Sequence, residues 1–413
     1  MKFGVFYELQ LPKPWGPHDE RNLFHEALDQ VALADRLGYD YAWEVEHHFL
    51  DEYSHSSAPE VFLAAAASRT KSIRLGHGIR QVIPNYNHPA RTAEGLATLD
   101  IVSDGRVDFG IGEGATRLEL GGFHIPAKEK RTMAIEAAGQ IANMMVLDPY
   151  PGFEGKYFTM PCRNVLPKPV QKPHPPMWMA CTNRDTIKVA ASLGLGALAF
   201  AFVNPEEART WSEIYYGIIK SDACVPLGHT VNANLAMVSS FSIHHDRAEA
   251  IRRGHEGFEF FGYALNALVA RDTVPGRTNM WADYLQARGN RTEEIIAAAG
   301  VGPQAAGIGT PDDMRAHLRA FRTAGVDQVI FMQQAGKNRH DHICASLELF
   351  AGEVMPEFKA EARTREERKT RELAPFVDAA LKRKQWMKPL ADHEIPVVKA
   401  SVAKAQVNQT AAS

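Results

Sequence analysis

"YDYAWEVEHHF", Tyr39–Phe49, decides how the chain reads. It begins as a short run of apolar and aromatic residues, the pattern of a strand covered on both faces. It ends in a carboxylate followed by two histidines, Glu46, His47 and His48. Helical patterns flank it. From Asp19 onward Leu23, Ala27, Val31 and Ala34 recur at helical spacing and Gly38 stands behind Leu37 as a terminator. "PEVFLAAAASRT" (Pro59–Thr70) follows, with proline in the first turn, where its missing N–H is tolerated.

The alternation extends outward from there. "KFGVFYEL" (Lys2–Leu9) predicts a strand, "SIRLGHGI" another, Pro89–Val102 a helix, "GRVDFGIG" (Gly105–Gly112) a strand, and roughly Lys130–Leu147 a helix. "MWMACT", a helix over Asp185–Leu193, "GALAFA", and a helix over Pro205–Lys220 continue it. "TVNANLAMVSSFSI" predicts one long strand before a helix from Asp246. "TPDDMRAHLRAFRTAGVDQVIFMQQ" gives a further helix and strand, and Asp341–Phe350 a closing helix. Close to eight strands interleaved with eight helices point to a (β/α)8 TIM barrel with insertions. A doubly wound open sheet is the competing architecture.

Two stretches interrupt the pattern. Residues 148–175 are turn-rich, with "GKYFTM" as a surface strand, and Thr273–Gln304 lack clear periodicity. Beyond Met355 the chain turns charged and partly helical. Residues 1–356 therefore form the barrel, and 357–413 a C-terminal helical arm with a flexible tail. That arm either exposes a solvated helix face or wraps a partner subunit through Trp386, Met387 and Leu390.

Composition narrows the function. The chain of 413 residues is 45% hydrophobic and 23% charged with a net charge of −3, so no strong field selects nucleic acid or an anionic membrane. Four scattered cysteines form no C-x-x-C pair, which argues against a disulfide framework or zinc knuckle and fits the cytoplasm. No apolar run reaches the length of a membrane span.

Strand ends are where a barrel gathers chemistry. Neighbouring strand residues face opposite sides, so His47 and His48 are poorly placed to ligate one metal, and only one of them should face the barrel mouth. "GIGEGA" (Gly110–Ala115) matches G-x-G-x-x-A, but "TRLELGGFHIP" follows where a dinucleotide site needs a helix. "ACTNRDT" (Ala180–Thr186) reads as a strand-to-helix junction whose cap residues and free N–H groups suit a phosphate.

Four pieces in order, "MKFGVF", "EHHF" (Glu46–Phe49), "NHPARTAEGLATLDIVSDGRVDFGIGEG" (Asn87–Gly114) and "GTPDDMRAHLRAFRTAGVDQVIF", resemble the bacterial luciferase family of flavin-dependent monooxygenases, nearest its α-subunit branch. The resemblance covers roughly residues 1–356. It implies reduced FMN supplied by a partner flavin reductase, with O2 activated as a flavin C4a-hydroperoxide that oxygenates a small or medium apolar substrate. It also implies a homodimer. His47 matches the histidine beside the flavin, leaving His48 structural, and Glu46 matches a flavin-proximal carboxylate. Gly78–Arg80, including Ile79, matches the third-strand end against the ring, with one residue more than the family. Ala180, Cys181 and Thr182 match the strand end alongside it. Gly112 stands where the family has a reactive cysteine, and Glu113 where it has an arginine near the phosphate. Phosphate binding then leans on Arg131, Asn183 and Thr186, and Thr273–Gln304 matches a mobile loop over the site. Tyr53, His55 and Phe123 lie on loops that would meet the substrate. A deazaflavin-dependent oxidoreductase and a non-catalytic flavin-binding subunit are the alternatives.

Overall fold

In the computed structural model, which describes residues 1–298 and 302–399, the short apolar runs pair in parallel and close on themselves. Residues 299–301 of the expected loop Thr273–Gln304, and the tail at 400–413, lie outside the described residues. The barrel strands are β1 (Lys2–Tyr7), β2 (Tyr41–Glu44), β3 (Arg74–Gln81), β4 (Val107–Gly112), β5 (Met177–Cys181), β6 (Gly196–Ala199), β7 (Leu235–Ser240) and β8 (Gln328–Gln334). Each pairs with the next, and β8 returns to β1 with Phe3 opposite Val329 and Gly4 opposite Ile330. That last pairing excludes the open sheet.

One barrel helix follows each strand: α1 (Asp19–Leu37), α2 (Pro59–Arg69), α3 (Pro89–Val102), α4 (Lys130–Val146), α5 (Arg184–Ser192), α6 (Pro205–Ile219), α7 (Pro311–Thr323) and α8 (His340–Leu349). Their ends follow local chemistry. Gly38 stops α1 at φ 86° while its N–H bonds back to Ala34. Thr310 and Asp313 exchange hydrogen bonds across the first turn of α7, with Pro311 at its start.

Strand parity creates two cores. One face of each strand meets the helices. The other fills the barrel, where Trp43 and Trp178 meet edge to face at 5.4 Å. Glycines make room for them: a Cβ on Gly76 would lie 2.1 Å from the Trp43 ring, and one on Gly196 would lie 2.3 Å from Trp178. Below the rings, Trp178 Nε1 donates to Asp108 at 2.8 Å and Arg74 pairs with the same carboxylate.

Several expectations need correction. A short helix, Arg117–Gly122, does follow "GIGEGA", because Thr116 and Glu119 cap its first turn reciprocally. The insertion at 148–175 contains a two-stranded hairpin, Tyr150–Glu154 with Thr159–Arg163, rather than one surface strand. The long strand breaks at Phe241. Ser242–Ile243 leaves the barrel and pairs with Ile308–Gly309. Between them runs a long helix, Arg247–Ala270, and the stretch taken as irregular holds helices Met280–Arg288 and Arg291–Ala297. In the arm, helix Ala362–Arg383 buries Leu373 and Ala380, and Trp386 lies 5.0 Å from His229 of the same chain. Among the described residues no helix is long and apolar enough to cross a membrane.

The interior packing makes a prediction. Gly76→Ala forces a methyl into the Trp43 ring and should cost about 2 kcal/mol. Gly95→Ala, in α3 with open space around its Cβ, should stabilise by about 0.5–1 kcal/mol. Shifts of the urea midpoint in opposite directions are expected. Equal midpoints for the two variants would refute the packed interior.

Candidate functional site

At the carboxyl ends of the strands lies a cavity of about 370 Å³. Most of its polar lining comes from strand ends: Glu8 beyond β1, His47 beyond β2, Gln81 on β3, Glu113 beyond β4, and Thr182 and Asn183 beyond β5, joined by Lys130 and Arg131 at the start of α4 and Thr186 on α5. Phe6, Phe200, Phe202 and Phe261 supply apolar walls. A larger hollow of about 530 Å³ adjoins it through Phe202, between helices Arg247–Ala270 and Met280–Arg288. It contains no strand-end polar residue, and its buried Arg288 is paired with Glu256 and Glu259.

The parity of β2 continues past its last ladder bond. Trp43 and Val45 point into the barrel and His47 into the cavity. His47 sits between two carboxylates: Nδ1 is 2.8 Å from Glu119 Oε1, and Nε2 is 3.4 Å from Glu8 Oε2. Burial is the largest single influence on the ring and opposes its charge. Glu8 and Glu119 together outweigh it and hold the imidazolium up to about 9. Glu8 is itself pushed up to about 7 by burial, against the pull of His47 and the Tyr53 hydroxyl, which donates to Oε1 at 3.2 Å. Burial acts against the Glu119 charge too, but His47 and the Thr116 donors prevail and lower it below the usual carboxylate range.

Glu46 and His48 turn the other way. Glu46 accepts from Arg80 at 3.1 Å, from the Gln81 N–H at 2.9 Å, from Asn87 at 2.9 Å and contacts His48 Nε2 at 3.1 Å. His48 packs on Phe123 at 4.9 Å. Arg80 also binds Glu60, so Glu46 and Arg80 form a buried pair behind the barrel wall and not a cavity contact. Cys181 likewise faces the helices. Its thiol is pushed up to about 12 by burial and does not line the cavity. His55 pairs with Glu20 and Phe123 packs on Tyr86, while Tyr53 does reach the cavity.

β3 carries a bulge. From His77 to Arg80 the strand spans three residues against two of β4. The bulge aims Ile79 and Gln81 into the cavity and Arg80 outward. A Cβ on Gly112 would lie 2.3 Å from Ile79, so the aimed isoleucine and the missing side chain are complementary. Ala180 and Thr182 lie across the cavity.

At its far end Arg131 grips Glu113 through two bonds, of 3.0 and 2.9 Å. Lys130 lies 3.5 Å from Glu113 and donates to the Gly114 carbonyl at 2.6 Å. Arg131 is thus not free. Two cations against one carboxylate nevertheless leave this end positive. Asn183 and Thr186 are engaged in the capping box of α5, with Thr186 Oγ1 accepting the Thr182 and Asn183 N–H groups.

Sequence reasoning missed Glu8, Gln81, Glu119 and Lys130. Only Glu119 left a signal, the T-x-x-E spacing from Thr116. Glu8 and Gln81 become visible once the barrel brings strand ends together, and Lys130 once the start of α4 is seated beside them.

A family model described as luciferase-like monooxygenase matches residues 1–328. The oxygenase component of the flavin-dependent trigonelline monooxygenase of Acinetobacter baylyi is 26% identical over 87% of this chain and 96% of its own length. The protein y4wF of Sinorhizobium fredii is 30% identical, but the match spans 47% of this chain and about half, 54%, of that relative. Among solved structures, monooxygenase RslO1 from Streptomyces bottropensis superposes with a TM-score of 0.69 at 26% identity, covering 87% of this chain and 100% of that one. Two more distant structures share the fold. One is the oxygenating constituent of 3,6-diketocamphane monooxygenase from Pseudomonas putida with FMN (TM-score 0.63, 21% identity, 86% of this chain, 98% of that one). The other is the coenzyme F420-dependent tetrahydromethanopterin reductase of Methanopyrus kandleri (0.60, 23%, 86% and 99%).

The outward face of this site carries a stability prediction. Arg80→Met leaves the buried Glu46 carboxylate without its cation and should cost about 3 kcal/mol. Chemical denaturation measures it, and an unchanged midpoint would refute the buried pair.

Proposed function

The chain belongs to the luciferase-like monooxygenase family, and from that premise we propose that it is the oxygenase half of a two-component, FMNH2-dependent monooxygenase. It takes reduced FMN from a separate flavin reductase and oxygenates a small or medium, mostly apolar molecule with O2. Reduced flavin supplies the electrons with which one oxygen atom goes to the substrate and the other to water. The observation that carries this reading is a buried histidine held between two carboxylates on a phenylalanine-walled cavity whose other end carries Lys130 and Arg131.

The residues fit such a cofactor. Gln81 Oε1 is buried beside the cavity without a partner, an acceptor suited to a ring N–H. Ile79, Gly112, Ala180 and Thr182 would meet the ring, with Lys130, Arg131, Asn183 and Thr186 at the phosphate. His47 would present Nε2–H to the reacting edge and control a proton there, while the phenylalanine walls exclude water. The relative that is an oxygenase component supports a partner reductase. The four free thiols support the cytoplasm. A homodimer rests on likeness to the family.

Anaerobic titration with reduced FMN, followed by oxygen electrode measurements with a reductase and a substrate panel, tests the proposal. Tight FMNH2 binding and substrate-coupled uptake are expected. Binding of a deazaflavin in preference to FMN would overturn it, an outcome for which Glu113 at the phosphate end is the reason to look. His47→Gln should lower product formed per O2 consumed roughly hundredfold and raise released peroxide. Glu113→Gln frees Arg131 and should tighten FMN binding several-fold, read by flavin fluorescence.

A further inference from the structure

We propose that Glu8 is a second proton-handling residue of the site, paired with His47, and that its carboxyl is the group that gives up and regains a proton during turnover. This deepens the preceding reading and rests on it for the reaction in which the proton is used. Three features of the geometry carry the inference.

Glu8 lies at the end of β1, buried, on the wall of the cavity. Its two oxygens differ. Oε1 accepts the Tyr53 hydroxyl, whereas Oε2 has no hydrogen-bond partner and stands 3.4 Å from His47 Nε2. It is a carboxyl oxygen with capacity to spare, next to a ring N–H.

Glu119, on the far side of the ring, has none to spare. Oε1 takes His47 Nδ1 and the His48 N–H, and Oε2 takes the N–H and hydroxyl of Thr116. Four donors favour its ionised form, and that fixed charge, together with Glu8, holds the imidazolium up. Of the three groups, Glu119 stays deprotonated and His47 stays protonated through neutrality. Glu8, up near 7, is the one that changes state.

The charged and titratable groups facing Glu8 are His47 and Glu119 on the loops beyond β2 and β4, and Tyr53 on the loop beyond β2. The transfer balances simply. Neutral Glu8 would give its O–H proton to the oxygen atom of O2 that is not transferred, leaving a carboxylate against His47. The other hydrogen of that water and the proton that restores Glu8 are the two that reduced flavin gives up on oxidation, so one water leaves and Glu8 ends neutral.

The test starts with ligand-free protein. With 15N-histidine labelling, the His47 ring nitrogens, assigned with His47→Gln, should report a doubly protonated ring through pH 8. Nε2 should also show a step near pH 7 from Glu8. Glu8→Gln should abolish the step, and Tyr53→Phe, which removes a donor to the charged carboxylate, should move it to higher pH. In the loaded enzyme Glu8→Gln should lower kcat roughly hundredfold and remove the ionisation near 7 from the pH profile, with little change in KM. A step that survives Glu8→Gln, or one that does not move in Tyr53→Phe, would overturn the proposal whatever cofactor the enzyme uses. Failure to bind FMNH2 would instead overturn the preceding function and leave the nitrogen titration to decide this one.

Discussion

The period of two along β2, carried beyond its last ladder bond, is the constraint on which the site depends. Trp43 fills the barrel, Val45 stacks above it and His47 opens into the cavity. Glu44, Glu46 and His48 turn toward the surrounding layer, where Ser56 donates to Glu44 and Arg80 to Glu46. A one-residue slip would exchange the two sets. It would put Glu46 and His48 into the cavity and force Trp43 out of the space that Gly76 leaves for it. The tight interior thus fixes which histidine faces the cavity, from several residues below the cavity itself.

A buried imidazole between two carboxylates is expensive unless its charges are answered. Glu119 solves this with the short helix Arg117–Gly122. The same Thr116–Glu119 exchange that starts the helix also satisfies the carboxylate that orients His47. Local capping and active-site electrostatics are here one set of hydrogen bonds. Glu8, with one donor from Tyr53 and one open oxygen, is left in the opposite condition. Two carboxylates flanking one ring are therefore set apart by their surroundings, one as a fixed charge and the other as an exchangeable acid.

The barrel was legible because its signal is repeated: each short apolar run is bounded by turn residues and followed by a helical period. His47 over His48 was legible in part, since parity says that only one can face the mouth. The rest was not, for a physical reason. Glu8 and Glu119 are 39 and 72 residues from His47 in sequence, and closure of the barrel alone makes them neighbours. Glu46 and Arg80 match family positions only through the resemblance of short motifs. The bulge in β3 and the outward parity of residue 46 direct both behind the wall. Helices Met280–Arg288 and Arg291–Ala297 escaped notice because neither carries a sustained apolar stripe. The first is held by contacts to distant loops instead.

Those contacts tie helix Met280–Arg288, which borders the adjoining hollow, to the loop that carries His47. Glu52, with no exposed surface, accepts the N–H groups of Met280 at 2.6 Å and Trp281 at 3.0 Å, and that of Lys13 at 3.0 Å. Asn279 provides no side-chain cap, so a carboxylate from the loop beyond β2 caps this helix from 228 residues away. A negative charge also suits the positive end of the helix. The same loop carries His47 at its start and Tyr53 next to Glu52, and Tyr53 both donates to Glu8 and lies 5.5 Å from Phe261 on the long helix over the cavity. The helix Met280–Arg288 and the proton cluster therefore share one anchoring loop, so the contacts that seat the helix also hold His47 and Glu8 in register.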